Sequence, residues 1–577
     1  MSEFNQALEK LNAILWHETV LFLVLGTGIV LTIWSGFCQY RALTHGVHVV
    51  RGEYDDPADP GAINHFQALS AALSATVGLG NIGGVALAIS LGGPGAVFWM
   101  WVVGFFGMAI KLTEVTLSML YRNTENPDNP HGGPMWVVSK ALARRSPALA
   151  GVGKAIGVIF CITLLISTAT GGNMFQAWNV GEITEVYFGV PSILTGIVLA
   201  LMVGMVIIGG IKRIGAVAGR LVPLMVTLYF LAGIYVLALN IGEIPEMVVL
   251  IVRSAFSPLE ASGAFIGGTA GYAFLFGMKR ALFSNEAGQG TSPIAHSAAK
   301  TDEPVREGIV AGLEPFIDTL VVCTLTALVI LVTGVWKRPA EAALPSTPEL
   351  IAVSDAAWSL SPSVAPARLN GGWADADKVF ILMRGDRNRA SGNDLHRLTG
   401  NVTEADDGVF TIVWDVLESS ARPAPVDGGI YLEYVGATLT AKAFDAVTPG
   451  LGKWLVTLAA WLFAFSTLIS WSYYGEQGAV YLGGERASMP YRLAFCALII
   501  IATMDILKTS TELDNVTGVG TAVMLWANVP IVWLLGSQAM LAYKNYIERL
   551  KTGRMGPGHS PPSIEDLISG RDVLPKR

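Results

Sequence analysis

In the middle of an apolar segment, between about residues 65 and 90, lies the sequence Ser74-Ala75-Thr76-Val77-Gly78-Leu79-Gly80-Asn81-Ile82-Gly83-Gly84. Residues 66–90 contain no Asp, Glu, Lys or Arg. Four glycines within residues 78–84 disfavour a continuous helix, because each costs roughly 1 kcal/mol relative to alanine. A bilayer tolerates irregular backbone only where protein or a water-filled cavity covers it. The sequence is therefore predicted to be a break in a membrane helix and a candidate binding site.

The same glycines match the spacing of a dinucleotide-binding fingerprint, Gly78-x-Gly80-x-x-Gly83. That motif requires a preceding strand, a following helix in a soluble unit and an acidic residue about 20 positions further on. Here the flanking sequence is apolar, and the first acidic residue after Gly83 is Glu114. Nucleotide binding is therefore not the function that we predict.

The composition is typical of a membrane protein. Of the 577 residues, 52% are hydrophobic and 14% are charged, whereas soluble domains carry about 25% charged residues. Sixty-four glycines fit closely packed membrane helices. The net charge of −7 comes without a basic stripe, so nucleic acid is not a predicted partner. The four cysteines have no metal-ligand spacing, which argues against a zinc site and against a disulfide framework.

A spanning helix needs about 20 mostly apolar residues, and the sequence contains eleven candidates. They are residues 18–38, 66–90, 94–121, 152–177, 190–210, 214–240, 261–283, 308–335, 451–480, 491–508 and 515–543. The first apolar run lacks the basic start and the cleavage site of a signal peptide, so we expect it to be retained. Residues 244–258 are amphipathic and short, which predicts a helix at the membrane interface.

Lysine and arginine in short loops predict the orientation, because they are enriched on the cytoplasmic side. With the N-terminus outside, most of them fall in inner loops and in the tail, and the short outer segments hold only Lys10, Arg253 and Lys508. We therefore expect a multi-pass protein of the cell inner membrane. Its N-terminus is expected outside and its C-terminus in the cytoplasm.

Residues 338–449 interrupt this pattern, since they are polar and fall outside the predicted membrane. They contain β-branched or alternating runs at 378–383, 409–414 and 430–435, with turn residues between them. This pattern predicts a small β-rich extracytoplasmic insert. Two interpretations remain open for it: a structural addition, or a domain that docks a protein partner or takes part in gating.

The ten spans after the first divide into two sets of five. The first helix of the first set contains the break at Thr76–Gly84, and the first helix of the second set contains Gly267-Gly268-Thr269-Ala270-Gly271-Tyr272. Interrupted segments at corresponding positions of oppositely oriented halves are typical of an inverted-repeat transporter with a site at mid-membrane. The predicted units are 1–64 (extra helix and loop), 65–260 (first repeat), 261–337 (start of the second repeat), 338–449 (insert), 450–543 (last three helices) and 544–577 (cytoplasmic tail).

Two broken helices can bind a zwitterion without any charged side chain in the membrane. The N-terminus of a half-helix presents free N–H groups and a positive dipole end to a carboxylate. Carbonyls freed at the C-terminus of a half-helix suit a hard cation. The pattern therefore predicts an amino acid and a cation as ligands.

A further motif, Gly93-Pro94-Gly95-Ala96-Val97-Phe98-Trp99-Met100-Trp101, resembles the signature of the sodium:alanine (alanine or glycine:cation) symporter family. Matching motifs lie at residues 111–114, 132–135, 283–288, 293–296 and 465–476. The resemblance covers nearly all of the chain except the insert. It implies an all-α multi-pass protein with the leucine-transporter-like five-plus-five inverted repeat, preceded by one extra N-terminal helix. It also implies sodium-coupled uptake of small neutral amino acids.

The resemblance further implies which residues bind the ligands. Backbone N–H groups near Leu79 and Gly80 would hold the substrate carboxylate. The residues implied at the sodium site are Ser74, Val77, Ala464 and Thr467. Leu468 stands where the wider fold often supplies a second hydroxyl, so Ser466 or Ser470 is expected to compensate.

Other residues extend the candidate site. Thr76 and Asn81 match positions that can bind a second sodium ion. Gln176 is interpreted either as an acceptor for the substrate ammonium or as a bridge between helices. Thr269, Gly271 and Phe274 are expected to face the second break, with Phe274 against the methyl group of alanine. Trp471 is expected either to close the pocket or to pack as a core aromatic residue.

Four charged or titratable residues remain near the inner ends of the spans. Lys111 and Glu114 are three residues apart and can pair on one helix face, as a functional pair or as a structural lock. Residues 284–300 are expected to continue the seventh span after an interruption, and Glu286, which lies in that interruption, is a candidate for an inner gate. His296 is expected to cap or to pack rather than to bind metal.

The sequence thus predicts a symporter that imports alanine or glycine with sodium as the coupling ion, no other cofactor and no enzymatic activity. The expected partners are a small neutral amino acid, sodium and membrane lipid, with a protein partner at the insert as one of the open interpretations. Alternatives are a proton-coupled or exchange-type amino-acid transporter, or a transporter-like sensor that uses the insert.

Overall fold

The computed structural model describes residues 3–127, 129–346, 348–375, 377–388, 391–405, 408–434, 436–504, 510–555, 562–563 and 565–566. The helices before the second predicted repeat are α1 Glu3–Leu15, α2 Glu18–Ser35, α3 Cys38–Arg41, α4 Val47–Val50, α5 His65–Thr76, α6 Val85–Gly92, α7 Gly95–Tyr121, α8 Pro134–Arg145, α9 Ala150–Ala169, α10 Phe175–Phe188, α11 Ser192–Ile207, α12 Gly210–Leu239 and α13 Ile244–Ser254. The later helices are α14 Ala270–Asn285, α15 Ser292–His296, α16 Pro304–Ala311, α17 Leu313–Pro315, α18 Thr324–Val332, α19 Ala437–Val447, α20 Leu451–Gly483, α21 Ser488–Ala502 and α22 Ser510–Lys551.

Seven helical stretches in these ranges are long and apolar enough to cross a membrane, and eight if a bent pair counts as one span. They coincide with eight of the predicted spans, which confirms a multi-pass membrane protein. The other three predicted spans form the shorter helices α11, α14 and α21, of 15 or 16 residues each. The last of these predictions, 491–508, also extends over residues 505–508, which lie outside the described ranges. Helix length alone therefore does not establish eleven spans.

The break in the first helix is confirmed. Helix α5 begins with a capping box between Asn64 and Gln67 and ends at Thr76. Val77 then adopts an extended backbone, with φ −76° and ψ 92°. A π-helical turn, Gly80–Gly84, leads into α6, whose axis is bent by 51° from that of α5.

The second break does not lie where the sequence placed it. Helix α14 runs without interruption from Ala270, with Thr269 as its N-cap, so the run at 267–272 precedes and starts this helix. Gly267 turns the chain with φ +94° instead of breaking a helix. The interruption follows α14, where Glu286 takes the left-handed conformation with φ 55° and the chain turns before α15.

The insert contains two antiparallel sheets in the described ranges. Its strands are β1 Ala342–Ala343, β2 Leu350–Ser354, β3 Ala357–Leu360, β4 Ser363–Val364, β5 Lys378–Arg384, β6 Leu395–Glu404, β7 Phe410–Trp414, β8 Leu417–Glu418 and β9 Ala424–Leu432. The larger sheet has the order β1-β9-β5-β6-β7-β4, and the smaller one has the order β2-β3-β8. The three predicted β-rich runs are β5, β7 and β9, so the prediction of a β-rich insert is confirmed.

Helix α14 packs tightly on α7 through small residues. At Gly277, a Cβ atom would overlap the Ala96 carbonyl oxygen and would lie 2.7 Å from Trp99 Cβ. At Gly271, in the same helix, a Cβ atom would meet nothing within 4 Å. The close approach of the two helices therefore depends on glycine at the first position and not at the second.

We expect Gly277→Ala to lower the thermal unfolding temperature of the detergent-purified protein by several degrees, because overpacking typically costs about 1–3 kcal/mol. Gly271→Ala is the matched control and should leave this temperature unchanged or raise it slightly, since alanine favours helix. Equal unfolding temperatures for the two variants would contradict the packing described here.

Candidate functional site

A small cavity of about 20 Å³ lies at the first break. Its wall is formed by Ala75, Thr76, Gly78, Gly80, Ser167, Gly171, Gln176, Phe283, Glu286, Gln289, Trp471 and Thr521. A cavity of this size holds about one water molecule. The fold thus brings together four predicted substrate residues, Thr76, Gly80, Gln176 and Trp471, although they come from distant parts of the chain.

Gly78 is the point of closest approach between the break and its neighbours. A Cβ atom at this position would lie 2.8 Å from Thr467 Oγ1 and 3.9 Å from Gln176 Oε1. Both oxygens are buried, and neither has a hydrogen-bond partner in the described part of the chain. The hydroxyl of Ser470, one turn further along α20, is also buried without a partner there. These three oxygens are suited to bind a ligand, because a buried polar group without a hydrogen-bond partner costs free energy that a bound ligand would recover.

The helix that carries Thr467 is tied directly to the end of α5. Ser74 donates its hydroxyl to the Ser466 carbonyl at 2.5 Å, and Ser466 Oγ donates to the Ser74 carbonyl at 3.3 Å. Val77 and Ala464 are fully buried beside this contact. The residues predicted for sodium therefore lie on the two elements that meet at the break, with Ser466 already engaged with Ser74.

Asn81 holds the broken segment together. Its Oδ1 accepts the Gly78 N–H at 2.7 Å, and its amide nitrogen donates to Asp318 Oδ1 at 2.6 Å. Asp318 is fully buried and also accepts hydroxyl hydrogen bonds from Ser284 and Thr319, at 2.8 and 2.7 Å. Among the described residues it forms no ion pair. A buried carboxylate bonded to neutral groups is a candidate cation or proton site by default.

Sequence reasoning missed Asp318, although one signal was available. It is an acidic residue inside the predicted span 308–335, and such residues are rare in membrane helices. Its position beside Asn81 depends on a contact between segments 237 residues apart, which the linear pattern does not reveal.

Three predicted site residues lie away from the cavity. Phe274 stacks on Phe22 and contacts Trp99 edge-on, with both ring-centroid distances at 4.9 Å. Thr269 caps α14 through the Tyr272 N–H, and the Cβ position of Gly271 faces open space. The sequence predicts these residues at the cavity because it places the second break at 267–272. From this part of the chain, the cavity wall is instead formed by Phe283, Glu286 and Gln289.

Leu79 faces a second and larger cavity. This vestibule has a volume of about 300 Å³ and lies between Leu79, helix α10, helix α19 and the insert. Leu79 is buried, and its neighbours Gly78 and Gly80 line the small cavity at the break. The break therefore separates the two cavities.

At the end of the bundle away from the insert, a buried ionic network packs against the start of α5. Lys111 Nζ lies 3.3 Å from Glu314, and the ring nitrogens of His296 lie 2.6 and 2.7 Å from Glu307 and Glu314. His65 contacts the same Glu307. The prediction that His296 caps or packs is wrong, because its ring bridges two carboxylates.

Lys111 also does not pair with Glu114, its neighbour on the helix surface. Glu114 instead accepts a hydrogen bond from the Asn528 amide at 2.8 Å. Glu286 lies near the network at the wall of the small cavity and accepts from the Thr291 hydroxyl at 2.5 Å. Helix packing therefore determined the partners of these residues.

In the described ranges there is no group of three or more His, Cys, Asp or Glu residues that could hold a metal ion. Apolar spans, a broken helix and buried oxygens around a small cavity define a membrane transport protein. The chain belongs to the sodium:alanine symporter family, whose sequence model matches residues 1–359 and 427–559. This match confirms the family resemblance, and the members of the family are transporters and not enzymes.

Several relatives extend this similarity. The chain is 36% identical to the sodium/alanine symporter AgcS of Methanococcus maripaludis, over 85% of this chain and 87% of that protein. It is 32% identical to YrbD of Bacillus subtilis, named as a sodium/proton-dependent alanine carrier, over 96% and 95% of the two chains. It is 34% identical to GlnT of Bacillus subtilis, named as a sodium/glutamine symporter, over 60% and 70%. The chain is thus an amino-acid symporter or carrier of the sodium/alanine type.

The contact at Gly78 generates a direct test. We expect Gly78→Ala to abolish amino-acid uptake into proteoliposomes, because the added methyl group would overlap Thr467 Oγ1 and fill the cavity. Gly84→Ala, in the same break, is the control, since a Cβ atom there would meet only Arg280 Cδ at 3.9 Å. It should retain uptake within about 2-fold of wild type, which corresponds to less than about 0.5 kcal/mol. Wild-type uptake by Gly78→Ala would show that the cavity is not on the transport path.

Proposed function

We propose that the protein is a sodium-coupled symporter that imports small neutral amino acids, alanine and glycine, by alternating access. The observation that carries this proposal is the pair of buried oxygens Thr467 Oγ1 and Gln176 Oε1. They lie beside Gly78 and have no hydrogen-bond partner in the described part of the chain. Since leaving such groups unsatisfied costs about 1–3 kcal/mol each, a ligand that bonds to them would bind favourably.

The proposed sodium site uses oxygen ligands only. The carbonyls of Ser74, Val77 and Ala464 and the hydroxyls of Thr467 and Ser470 are the proposed donors, and oxygen atoms are the ligands that hard cations prefer. The direct contact of α5 with α20 supports this assignment, because it places the two donor segments side by side. Thr76 and Asn81 remain proposed for a second cation, with Asp318 as an additional ligand.

The proposed substrate site is small. Its wall contains Gly78, Gly80, Gly171 and Ala75, and the ring of Trp471 packs against Gly172. In the proposal, N–H groups near Leu79 and Gly80 bind the substrate carboxylate, because the first N–H groups of a helical segment have no acceptor within it. The Gln176 oxygen accepts from the ammonium group. A cavity walled by glycine and alanine favours a substrate side chain no larger than a methyl group.

Two structural features support a five-plus-five inverted repeat and alternating access. The first helix of each proposed repeat is interrupted, at Val77–Gly84 in one and at Glu286–Thr291 in the other. The ionic network of Lys111, Glu314 and His296 closes one end of the bundle, whereas the vestibule lies at the other. We propose that the vestibule end faces outwards and that the network opens when the substrate is released inwards.

A proton-coupled mechanism is the second candidate, and one observation favours it. Asp318 is a buried carboxylate at the break that forms no ion pair among the described residues, and a carboxylate can carry either a proton or a metal cation. The name of one relative also mentions both ions. The two mechanisms differ in which ion gradient drives uptake.

Uptake of labelled alanine into proteoliposomes distinguishes them. We expect an inward sodium gradient to drive accumulation at constant pH, and a proton gradient without sodium to drive none. Unlabelled glycine should compete, and glutamine should compete at least about 10-fold less well, a difference of about 1.4 kcal/mol. Accumulation driven by protons alone would replace the sodium proposal with the second candidate.

The sodium site itself is tested by Thr467→Ala. Removing one oxygen ligand should raise the sodium concentration for half-maximal uptake roughly 10-fold, for a loss of about 1.4 kcal/mol. Thr457→Ala is the matched control on the same helix, because its hydroxyl is already bonded to the Lys453 carbonyl at 2.7 Å. Identical sodium activation of both variants would remove Thr467 from the site.

A further inference from the structure

The insert forms one wall of the vestibule. Strand β5 contributes Lys378, the end of β9 contributes Leu432 with Glu433 directly after it, and helix α10 forms the opposite wall. Leu79, at the break, lies at the base of this cavity of about 300 Å³. Any substrate that reaches the break from this side must therefore pass residues that belong to the insert.

Charged side chains of both signs line this cavity. The Glu433 N–H donates to the Lys378 carbonyl at 2.7 Å, so these two oppositely charged residues are neighbours across paired strands. Both are partly buried, yet neither forms an ion pair or a side-chain hydrogen bond in the described ranges. A third charge, Lys442 of α19, lines the same cavity with its ammonium 5.6 Å from the Tyr434 ring centroid.

Arg368, which also lines this cavity, has both carboxylate and carbonyl partners. Its guanidinium lies 3.4 Å from Glu341 and 3.9 Å from Asp377 and donates to the Gly372 carbonyl at 2.6 Å. Among the described residues Glu433 has no ion pair or side-chain hydrogen bond, and burial raises the pKa of its carboxyl against the opposing effect of the nearby Arg397, Lys378 and Arg338. A partly buried carboxylate without a bonded cation gains most from a ligand that brings one.

We propose that the vestibule is an outer binding site for a zwitterionic amino acid, with its ammonium at Glu433 and its carboxylate at Lys378 and Lys442. The substrate occupies this site before it passes Leu79 to the cavity at the break. The volume fits a small ligand, because ligand pockets start at about 300 Å³. The site also gives the insert a role, since two of the three charges belong to strands β5 and β9 or their ends. The proposal rests on the proposed function only in taking an amino acid as the ligand.

The first experiment measures alanine binding to the full-length protein in nanodiscs, by calorimetry in sodium-free buffer, in the Gly78→Ala background. With the central cavity filled, the remaining binding reports on the vestibule. We expect Glu433→Gln and Lys378→Gln each to weaken this binding about 5-fold, equivalent to about 1 kcal/mol, because glutamine removes the charge but can still form a hydrogen bond. Propionate and ethylamine, which each carry one of the two charges, should bind more weakly than alanine.

Asp394→Asn and Arg384→Gln are the matched controls. These residues form an exposed ion pair at 3.4 Å elsewhere in the insert and do not line the vestibule. They should bind alanine as the parent does. Absence of alanine binding in the parent, or equal binding by the vestibule and control variants, would overturn the proposal.

The second measurement does not depend on the Gly78→Ala background. In proteoliposomes, Glu433→Gln in the otherwise native chain should raise the KM for alanine about 5-fold and leave kcat and the sodium dependence unchanged, because it weakens only the first encounter. An unchanged KM would count against the outer site. Failure of the proposed function would give a different result. Uptake would then not respond to sodium, while alanine would still bind at the vestibule in sodium-free buffer.

Discussion

A membrane helix can be broken only if the polar backbone groups released at the break find partners. Here side chains of the break itself and of other segments supply them. Asn81 accepts the Gly78 N–H at 2.7 Å, and Thr440 of α19 donates to the Ile82 carbonyl at 3.0 Å. Asp318 in turn anchors Asn81 at 2.6 Å. The geometry of both cavities depends on these hydrogen bonds. Without them, the broken segment would form a continuous helix or would no longer be held in place between the neighbouring helices.

The two ends of the bundle differ in chemistry. At the end near His65, carboxylates, histidines and Lys111 are buried together, which is favourable only when each charge is closely paired. At the end near the insert, a vestibule of about 300 Å³ reaches Leu79. The structure is thus sealed on one side of the break and accessible on the other. In an alternating-access cycle, breaking the ionic network would be the costly step, so ligand binding has to favour it.

The insert is the part of the chain in which this protein differs most from its family, since the family model does not match residues 360–426. It is nevertheless not isolated from the membrane helices. Asn393 donates to the Ile266 carbonyl at 2.6 Å, and Arg397 donates to the Ala264 carbonyl at 2.8 Å. These bonds fix the insert on the segment that leads into α14. This part of the chain forms one wall of the vestibule.

The sequence alone determined the class of fold, the first break and three strands of the insert, because glycine content, hydropathy and alternation are local properties. It also predicted Thr76, Gln176, Thr467 and Trp471 as site residues, and the fold brings these four to the break. The tertiary structure decided the rest. The sequence predicts two interruptions in this region, at 267–272 and after residue 283, and the fold breaks the helix only at the second, because a glycine run can start a helix as well as interrupt one. Lys111 paired with Glu314 and Asn81 with Asp318, since pairing between segments more than 200 residues apart depends on packing that no local pattern encodes.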